Sequence, residues 1–117
     1  MNFNHFLTSY MPNINIGSKI HFENMLQESV LAEKLGYTTV SIPEHHLINL
    51  LMMPSPLQMA VKIASMTKKI NITTGIVVLP VHDMRTYAGE VASADILTDG
   101  RLILGVGRGA FPWEMKR

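Results

Sequence analysis

The sequence predicts an α/β protein built on a parallel sheet, and three observations indicate it. Four strand-like segments alternate with three helical segments, and the connections between them are short. A continuous apolar run at 76–79 is typical of a strand buried on both faces. Glycine, serine and proline stand where helices begin and end. The chain of 117 residues is long enough for one domain.

The first strand and the first helix come from the N-terminal third of the chain. Aromatic and apolar residues at 3–7 predict the strand, and asparagine, proline and glycine predict a loop at 8–18. Residues 19–35 have the apolar periodicity of a helix. Ser18 is its expected N-cap, and Gly36 is the expected left-handed residue that ends it.

The second strand and the second helix follow with a loop between them. β-branched residues at 37–42 predict the strand, which Pro43 ends because proline cannot donate to a β-ladder. Ser55 and Pro56 are the expected N-cap and first residue of a helix that runs to about Thr67. Few positions of this helix are polar, so we expect it to be mostly covered.

The third and fourth strands enclose the last helix. Residues 70–79 predict one strand, in which Gly75 indicates a bulge or a close backbone approach. Residues 84–98 predict a helix, 99–100 a tight turn, and 101–106 the fourth strand. Two sets of side chains on this helix can face inward: Tyr87, Val91, Ala94 and Leu97, or Ala88, Val91 and Ile96.

Composition excludes several classes of partner. The net charge of +1 offers no field that would attract nucleic acid or an anionic membrane. No apolar run approaches the roughly 18 residues of a membrane span, and the N-terminus lacks the pattern of a signal peptide. The chain has no cysteine, which excludes disulfides and thiolate chemistry. We therefore expect a soluble, cytoplasmic protein.

Polar residues and glycines follow three of the predicted strands. In parallel α/β folds, functional sites lie at the carboxyl ends of the strands, so these residues should share one edge of the sheet. They are Glu44, His45 and His46 after the second strand, His82 after the third, and Gly107, Arg108 and Gly109 after the fourth.

The two adjacent histidines allow more than one interpretation. Imidazole titrates near neutral pH, so a histidine here can serve as a general acid or base. Neighbouring positions diverge as they leave a strand, so only one of the two should face the site. The alternatives are two ordinary loop histidines, or a metal site with further ligands from His82, Asp83 or His5, at no recognised spacing.

The glycine run at 105–109 has its own alternatives. Its backbone N–H groups follow a strand, where they can approach a phosphate, and Arg108 can bind a phosphate or a developing anion. The glycine spacing does not match the dinucleotide-binding fingerprint. A surface arginine in a flexible turn is the alternative.

Taken in order, these segments resemble the bacterial luciferase-like flavin-dependent monooxygenase family. The resemblance rests on residues 40–46, 73–80, 95–102 and 105–109, together with the opening segment 1–12. It covers nearly the whole chain in the right order and at the right spacing. No single motif is specific, but the combination is.

The resemblance implies a (β/α)₈ barrel that uses reduced flavin mononucleotide (FMN), supplied by a separate flavin reductase, to insert oxygen into a small organic substrate such as an aldehyde. It implies His45 as the catalytic proton-transfer residue, a cis peptide bond at Gly75–Ile76, and flavin contacts from Gly75, Ile76, Gly107 and Arg108. Luciferase carries a reactive cysteine where this chain has Gly107, which favours a general monooxygenase over light emission. Whether a deazaflavin replaces FMN stays open.

The resemblance also assigns structural roles to Asp95 and Arg101, at the turn into the fourth strand. A (β/α)₈ barrel needs about 250 residues, so residues 1–117 should form only its N-terminal half, with the remainder absent and the chain a truncated form. Four parallel strands leave two open edges, and a non-catalytic half-barrel that self-associates as a homo-oligomer is the alternative function. A third interpretation, a small phosphate-ligand binder, requires an open sheet with helices on both faces.

Overall fold

The computed structural model of the chain describes residues 1–114, and within them every pair of strands is parallel. The strands and helices alternate as predicted, but two strands are each divided in two. The elements are β1 (Asn4–Phe6), α1 (Ser18–Lys34), β2 (Thr39–Ile42), α2 (Pro56–Met66), β3 (Asn71–Thr74), β4 (Val77–Val78), α3 (Met84–Leu97), β5 (Leu102–Ile103) and β6 (Val106–Gly107).

The sheet is ordered along the chain and continues past a break. Strands β1, β2, β3 and β5 are hydrogen-bonded in that order, and β4 pairs with β6 beyond them. Each strand therefore lies beside the next one in sequence, as in the wall of a parallel barrel. In the described part of the chain, β1 and β5 each have one open edge.

The helices pack on one face of the sheet. Val40, Ile42 and Ile72 point from the strands into the main core, where they join buried residues of α1 and α2 such as Met25 and Ile63. On the other face, Phe6 and Ile103 remain 54% and 49% exposed. Because α1, α2 and α3 pack against one another in order, the sheet has no second helical layer within residues 1–114. The interpretation that needs helices on both faces is therefore wrong.

The predicted third strand is interrupted by a cis peptide bond at Gly75–Ile76, the position that the resemblance implies. β3 ends at Thr74 and β4 begins at Val77, so the single strand predicted at 70–79 is wrong in its middle. Its last residue, Leu79, opens a short 3₁₀ turn instead.

The close backbone approach lies at Gly105 and not at Gly75. A Cβ on Gly75 would meet Ser41 at an ordinary 3.6 Å, whereas one on Gly105 would stand 2.2 Å from the carbonyl oxygen of Thr74. The Thr74 hydroxyl accepts a hydrogen bond from Gly105 N at 2.9 Å and donates one to Gly105 O at 2.8 Å. Glycine is therefore required at position 105, between β5 and β6, because the end of β3 lies directly against it.

The helix boundaries agree with the sequence to within one residue, but two of the caps differ. Gly36 has φ +86°, the left-handed conformation predicted for it. Gly17, not Ser18, is the N-cap of α1. The hydroxyl of Ser55 makes no capping bond, although Pro56 begins α2 as predicted. The carboxylate of Asp83 accepts from Arg85 N and caps α3.

Only part of one predicted face of α3 is buried. Tyr87 and Ala94 belong to a second core cluster with Val77, as the first alternative predicts. Leu97 remains 62% exposed and Ile96 75% exposed, so the second alternative is wrong and the first fails at its last residue.

Arg101 has a structural role, as the resemblance implies. Its guanidinium donates to the carbonyl oxygens of Ala64 at 2.8 Å and Thr98 at 3.1 Å, and to the Thr67 hydroxyl at 3.0 Å. These acceptors lie at the C-terminal ends of α2 and α3, where helix carbonyls lack intrahelical partners. The side chain of Asp95 is exposed, and only its backbone oxygen takes part in this turn.

Glu33 binds the turn before β3 through its carboxylate. It accepts from the backbone N–H groups of Lys68, Lys69 and Ile70 at 2.9, 2.6 and 2.9 Å. Burial opposes ionisation of Glu33, but these donors, with the charge of Arg101, outweigh it and hold its pKa below the ordinary value. The ionised carboxylate therefore fixes α1 to the start of β3.

Glu33→Gln is expected to lower the free energy of unfolding by about 1 kcal/mol at pH 7, because a charged acceptor of three N–H groups is lost. A carboxyl group whose pKa is lowered by folding stabilises the folded state at pH values above its unfolded-state pKa. This contribution is lost as the pH falls through its folded-state pKa. The difference in free energy of unfolding between the two proteins should thus disappear as the pH falls below 4.5, the ordinary pKa of a glutamate. Urea unfolding across pH 3–8 measures it.

Glu23→Gln is the matched control for this prediction. Glu23 lies on the same helix, is exposed, and faces Lys19 at 3.8 Å. We expect no resolved change in stability at any pH. An equal loss in both variants would contradict a specific role for Glu33.

No helix within residues 1–114 combines the length and the apolar character that crossing a bilayer requires.

Candidate functional site

The carboxyl ends of the strands bring the predicted polar residues to one edge of the sheet. Pro43 ends β2 and directs Glu44 inward, where its side chain is fully buried. His82 follows the 3₁₀ turn after β4, and Arg108 follows β6. The shared edge that the sequence predicts is thus confirmed by the contacts below.

Glu44 is the centre of a hydrogen-bonded network. Its Oε1 lies 2.6 Å from His46 Nε2 and 2.6 Å from His82 Nε2, and its Oε2 accepts from Val78 N at 2.7 Å. A carboxylate only accepts, so each imidazole carries its proton on Nε2 in this arrangement. The network joins the loop after β2 to β4 and to the turn before α3.

The Glu44 network also collects groups that metals prefer. One ligand-type atom each from Glu44, His46 and His82 lie within 4.8 Å of one another. In this structure their contacts are hydrogen bonds at 2.6 Å, shorter than the roughly 3.3 Å between ligands spaced tetrahedrally at about 2.0 Å from zinc. Of the extra ligands considered from sequence, His5 pairs with Glu28 and Asp83 caps α3, so only His82 joins the group.

Tyr87 extends this region behind His82. The two rings stack with centroids 4.0 Å apart, and the phenol is buried. Burial, followed by the negative charges of Glu44 and Glu90, raises the pKa of Tyr87 to about 12. The phenol is therefore protonated throughout the neutral range, and it adds an apolar wall to the network.

The side chain of His45 points away from the Glu44 network. This was expected, because the side chains of adjacent residues diverge as the chain leaves a strand. Its backbone N–H donates to Met53 O at 2.9 Å, which fixes the loop. Its ring packs near Phe111, with centroids 5.7 Å apart. Ring nitrogen Nδ1 is buried and lies 3.5 Å from Glu114 Oε1. The two histidines therefore have separate environments.

A cavity of about 300 Å³ brings four predicted residues together. His45, Gly75, Ile76 and Arg108 all line it, and Ile76 is 37% exposed. Phe6, Pro43, Glu44, Val78, Gly109, Ala110 and Glu114 complete the lining. The predicted site residues thus share one concave surface at the end of the strands.

Gly107 lies beneath this cavity and does not line it. A Cβ at this position would stand 2.3 Å from Cδ1 of Ile76, so the glycine leaves room for that side chain. The glycine thereby allows Ile76 to lie at the cavity wall, and a contact between Gly107 and the cofactor stays a prediction.

A larger groove of about 1080 Å³ lies between α2 and α3. It shares only His82 with the Glu44 network and contains none of the predicted cofactor contacts. Size alone would select this groove, but the convergence of predicted chemistry at the smaller cavity identifies the latter as the candidate site.

Sequence analysis did not identify Glu114. Its side chain is 1% exposed, and its Oε1 accepts from His46 N at 2.8 Å. The signal available in the sequence was a lone acid after the aromatic residues Phe111 and Trp113. No spacing rule connects it to a histidine 68 residues earlier.

These observations define a class of protein: a parallel α/β barrel segment with an acid–base cluster at the carboxyl ends of its strands. The profile described as luciferase-like monooxygenase matches residues 1–117, and the chain belongs to this family. The partial (β/α)₈ barrel that the resemblance implies is thereby confirmed.

Named relatives and solved structures agree with this assignment. The chain is 33% identical over 96 residues to the flavin-dependent trigonelline monooxygenase, oxygenase component, of Acinetobacter baylyi, covering 82% of this chain and 27% of that protein. It is 27% identical to the alkanal monooxygenase alpha chain of Photorhabdus laumondii, covering 95% and 31%. The chain spans about a third of the length of the curated relatives it matches.

Two solved structures share this fold over the matched part of their chains. The oxygenating constituent of 3,6-diketocamphane monooxygenase from Pseudomonas putida, in complex with FMN, superposes with a TM-score of 0.90 at 24% identity, covering 97% of this chain and 31% of that one. Monooxygenase RslO1 from Streptomyces bottropensis gives 0.88 at 28% identity, covering 97% and 35%.

Proposed function

We propose that this chain provides the proton-transfer side of a flavin-dependent monooxygenase that uses reduced FMN and oxygen on a small organic substrate. The observation that carries the proposal is the single cavity lined by His45, Gly75, Ile76 and Arg108. In the same proposal, residues 1–117 form the N-terminal half of a (β/α)₈ barrel, and the later strands of such a barrel complete the cofactor site.

The cavity fits part of a flavin. At about 300 Å³ it lies at the lower end of the range for small-molecule sites, so it suits one portion of the cofactor, with the rest lying outside it. The Ile76 side chain, which is 37% exposed, offers a wall for a flat ring. Arg108 supplies a positive charge at the same cavity.

Each residue has a defined task in this proposal. Bound reduced flavin supplies the electrons that activate oxygen. Ile76 and the adjoining peptide orient the ring, and Arg108 binds its anionic portion. His45 holds or moves a proton at the cavity, while Glu44, His46 and His82 keep the surrounding loops in place. With Gly107 at the position of luciferase's cysteine, we propose a general monooxygenase and not a light-emitting one.

A separate flavin reductase would supply reduced FMN. This part of the proposal is supported by the Acinetobacter relative, which is named as the oxygenase component of its monooxygenase. We also propose a cytoplasmic location, with which the absence of cysteine is compatible.

Flavin titration tests the proposal. We expect the protein to bind reduced FMN at roughly tens of micromolar, and Arg108→Ala to weaken binding about tenfold because a charged contact is lost. Arg85→Ala is the matched control, since Arg85 is an exposed arginine paired with Asp83, outside the cavity. Anaerobic fluorescence titration of all three proteins measures their three affinities for reduced FMN.

Two outcomes would count against the proposed function. Absence of binding at these concentrations would exclude catalytic competence of the chain by itself. An equal loss of FMN affinity in Arg108→Ala and Arg85→Ala would show that the cavity has no specific role in binding.

Self-association of a non-catalytic half-barrel is the second candidate function. Phe6 and Ile103 are about half exposed on the sheet face without helices, and Val106 is 46% exposed near the open edge. A second copy would cover these apolar side chains and pair the edges. Light scattering at several concentrations tests this candidate, and a stable monomer would exclude it.

A further inference from the structure

Glu114 is a buried carboxylate that the proposed reaction has not used. Its side chain is 1% exposed, and its Oε1 accepts from the backbone N–H of His46 at 2.8 Å. The same oxygen lies 3.5 Å from Nδ1 of His45. A buried charge of this kind needs partners, and both groups that face it belong to the His45–His46 pair.

The segment after β6 brings this carboxylate to His45. Glu114 ends a short 3₁₀ turn, Pro112–Glu114, and its N–H donates to Phe111 O at 3.1 Å. Phe111 stacks on Trp113 at 4.8 Å and packs near the His45 ring at 5.7 Å. The imidazole is therefore held between an aromatic ring and an acid.

We propose that Glu114 is the positioning residue of His45, holding the proton on Nδ1 so that Nε2 is the nitrogen that exchanges protons with a molecule in the cavity. This inference rests on the proposed function and names a further residue for the same site. It follows from the burial of Nδ1 and from the position of the carboxylate beside it.

The two nitrogens of His45 have different access. Nδ1 is buried, and among residues 1–114 it has no hydrogen-bond partner at standard geometry. The His45 side chain is 22% exposed, and this exposure lies on atoms other than Nδ1. A cavity-bound molecule therefore reaches His45 through ring atoms other than Nδ1.

Glu114 decides which nitrogen carries the proton, because a carboxylate accepts and does not donate. At 3.5 Å the contact is longer than an ordinary N–H···O bond, and such bonds are often loose before a ligand is bound. When Nε2 takes a proton, Nδ1 keeps its own, and the imidazolium then lies beside the Glu114 charge. Nε2 later returns that proton to the reacting molecule.

The other charged groups near His45 do not compete for Nδ1. Glu44 uses its oxygens on His46, His82 and Val78. Arg108 lines the same cavity, but a guanidinium cannot accept a proton from Nδ1. Within residues 1–114, Glu114 is the only residue whose carboxylate oxygen lies within 4 Å of His45 Nδ1.

Long-range ¹H–¹⁵N NMR of the histidine rings tests the inference without any flavin. In the labelled full chain at pH about 8.5, where free imidazole is neutral, we expect His45 to be mainly the Nδ1–H tautomer. Glu114→Gln should shift the ratio of Nδ1–H to Nε2–H by about tenfold toward Nε2–H, because a neutral amide oxygen at the Oε1 position is a weaker acceptor for Nδ1–H than a carboxylate. Its amide oxygen still accepts from His46 N, so the fold is retained.

Glu28→Gln is the matched control. Glu28 faces His5 at 3.2 Å, so this variant should change the tautomer of His5 and leave His45 unaltered. An Nε2–H tautomer for His45 in the unmodified chain would overturn the inference. So would an unchanged His45 ratio in Glu114→Gln, because Glu114 would then only bind the His46 backbone.

These outcomes are independent of the proposed function. Failure to bind flavin would leave the tautomer result intact, and an unshifted tautomer would leave flavin affinity intact. In a flavin-loaded active protein, Glu114→Gln is expected to lower kcat by about 100-fold, since proton transfer through His45 is impaired.

Discussion

Replacing Glu44 with alanine is expected to lower the free energy of unfolding by about 3–5 kcal/mol, the range for breaking a buried charged network. The side chain is fully buried and binds two imidazoles and one backbone N–H. Alanine would leave all three donors without a partner in a site that water enters poorly. Urea or thermal unfolding of the purified variant measures the loss.

Two further variants make the Glu44 prediction specific. Glu44→Gln keeps one acceptor oxygen, so we expect an intermediate loss of about 1–3 kcal/mol. Glu28→Ala also removes a carboxylate bound to a histidine, but that carboxylate is 43% exposed, so its loss should not exceed about 1 kcal/mol. Equal losses in Glu44→Ala and Glu28→Ala would show that burial of the network does not contribute.

Gly105→Ala is expected to cost about 3 kcal/mol, because the new methyl group would overlap a backbone atom. Its Cβ would lie 2.2 Å from Thr74 O. The backbone cannot move aside easily, since β3 pairs with β5 before this point and β4 pairs with β6 after it. Two hydrogen bonds to the Thr74 hydroxyl hold the same contact.

Gly89→Ala provides the control for this substitution. Gly89 lies within α3, and a Cβ there would meet nothing within 4 Å. Alanine is the better helix former, so stability should rise by about 0.5–1 kcal/mol. Chemical denaturation of both variants gives the comparison. A Gly105→Ala protein as stable as the parent would show that β3 and β5 can separate at no cost.

The sequence predicts the elements well wherever local chemistry decides them. Gly36 adopts the left-handed conformation expected at a helix end, and Pro43 ends β2 as proposed. Periodicity locates α1 and α2 because each buries one apolar face against the strands.

The breaks in the strands could not be predicted from periodicity. The apolar run at 76–79 continues without interruption, yet β4 pairs with β6 only after the chain has turned at Gly75–Ile76. The sequence favours Gly75 as the close approach because it lies inside the predicted strand at 70–79. The contact that requires glycine is formed at Gly105, by a partner 31 residues away.

The candidate site was predicted only in part, because some of its contacts also depend on distant segments of the chain. His45 and Arg108 follow strand ends, which is a local signal, and they line one cavity. The pairing of His46 with Glu44, and of Glu114 with His45, depends on which way each side chain turns. That direction is set by packing against distant segments, so neither pairing has a signature in the sequence.

The position of the Glu44 network has a consequence for how such proteins can be recombined. Glu44, His45, His82 and Glu114 come from one contiguous piece of the chain, and the contacts described among them are formed within residues 44–114. A genetic exchange after Glu114 would therefore transfer the acid–base groups as an intact unit. Under the proposed function, chimaeras that join this piece to the later strands of different relatives should inherit the same proton chemistry, while the donor of the second piece should determine what else the barrel binds.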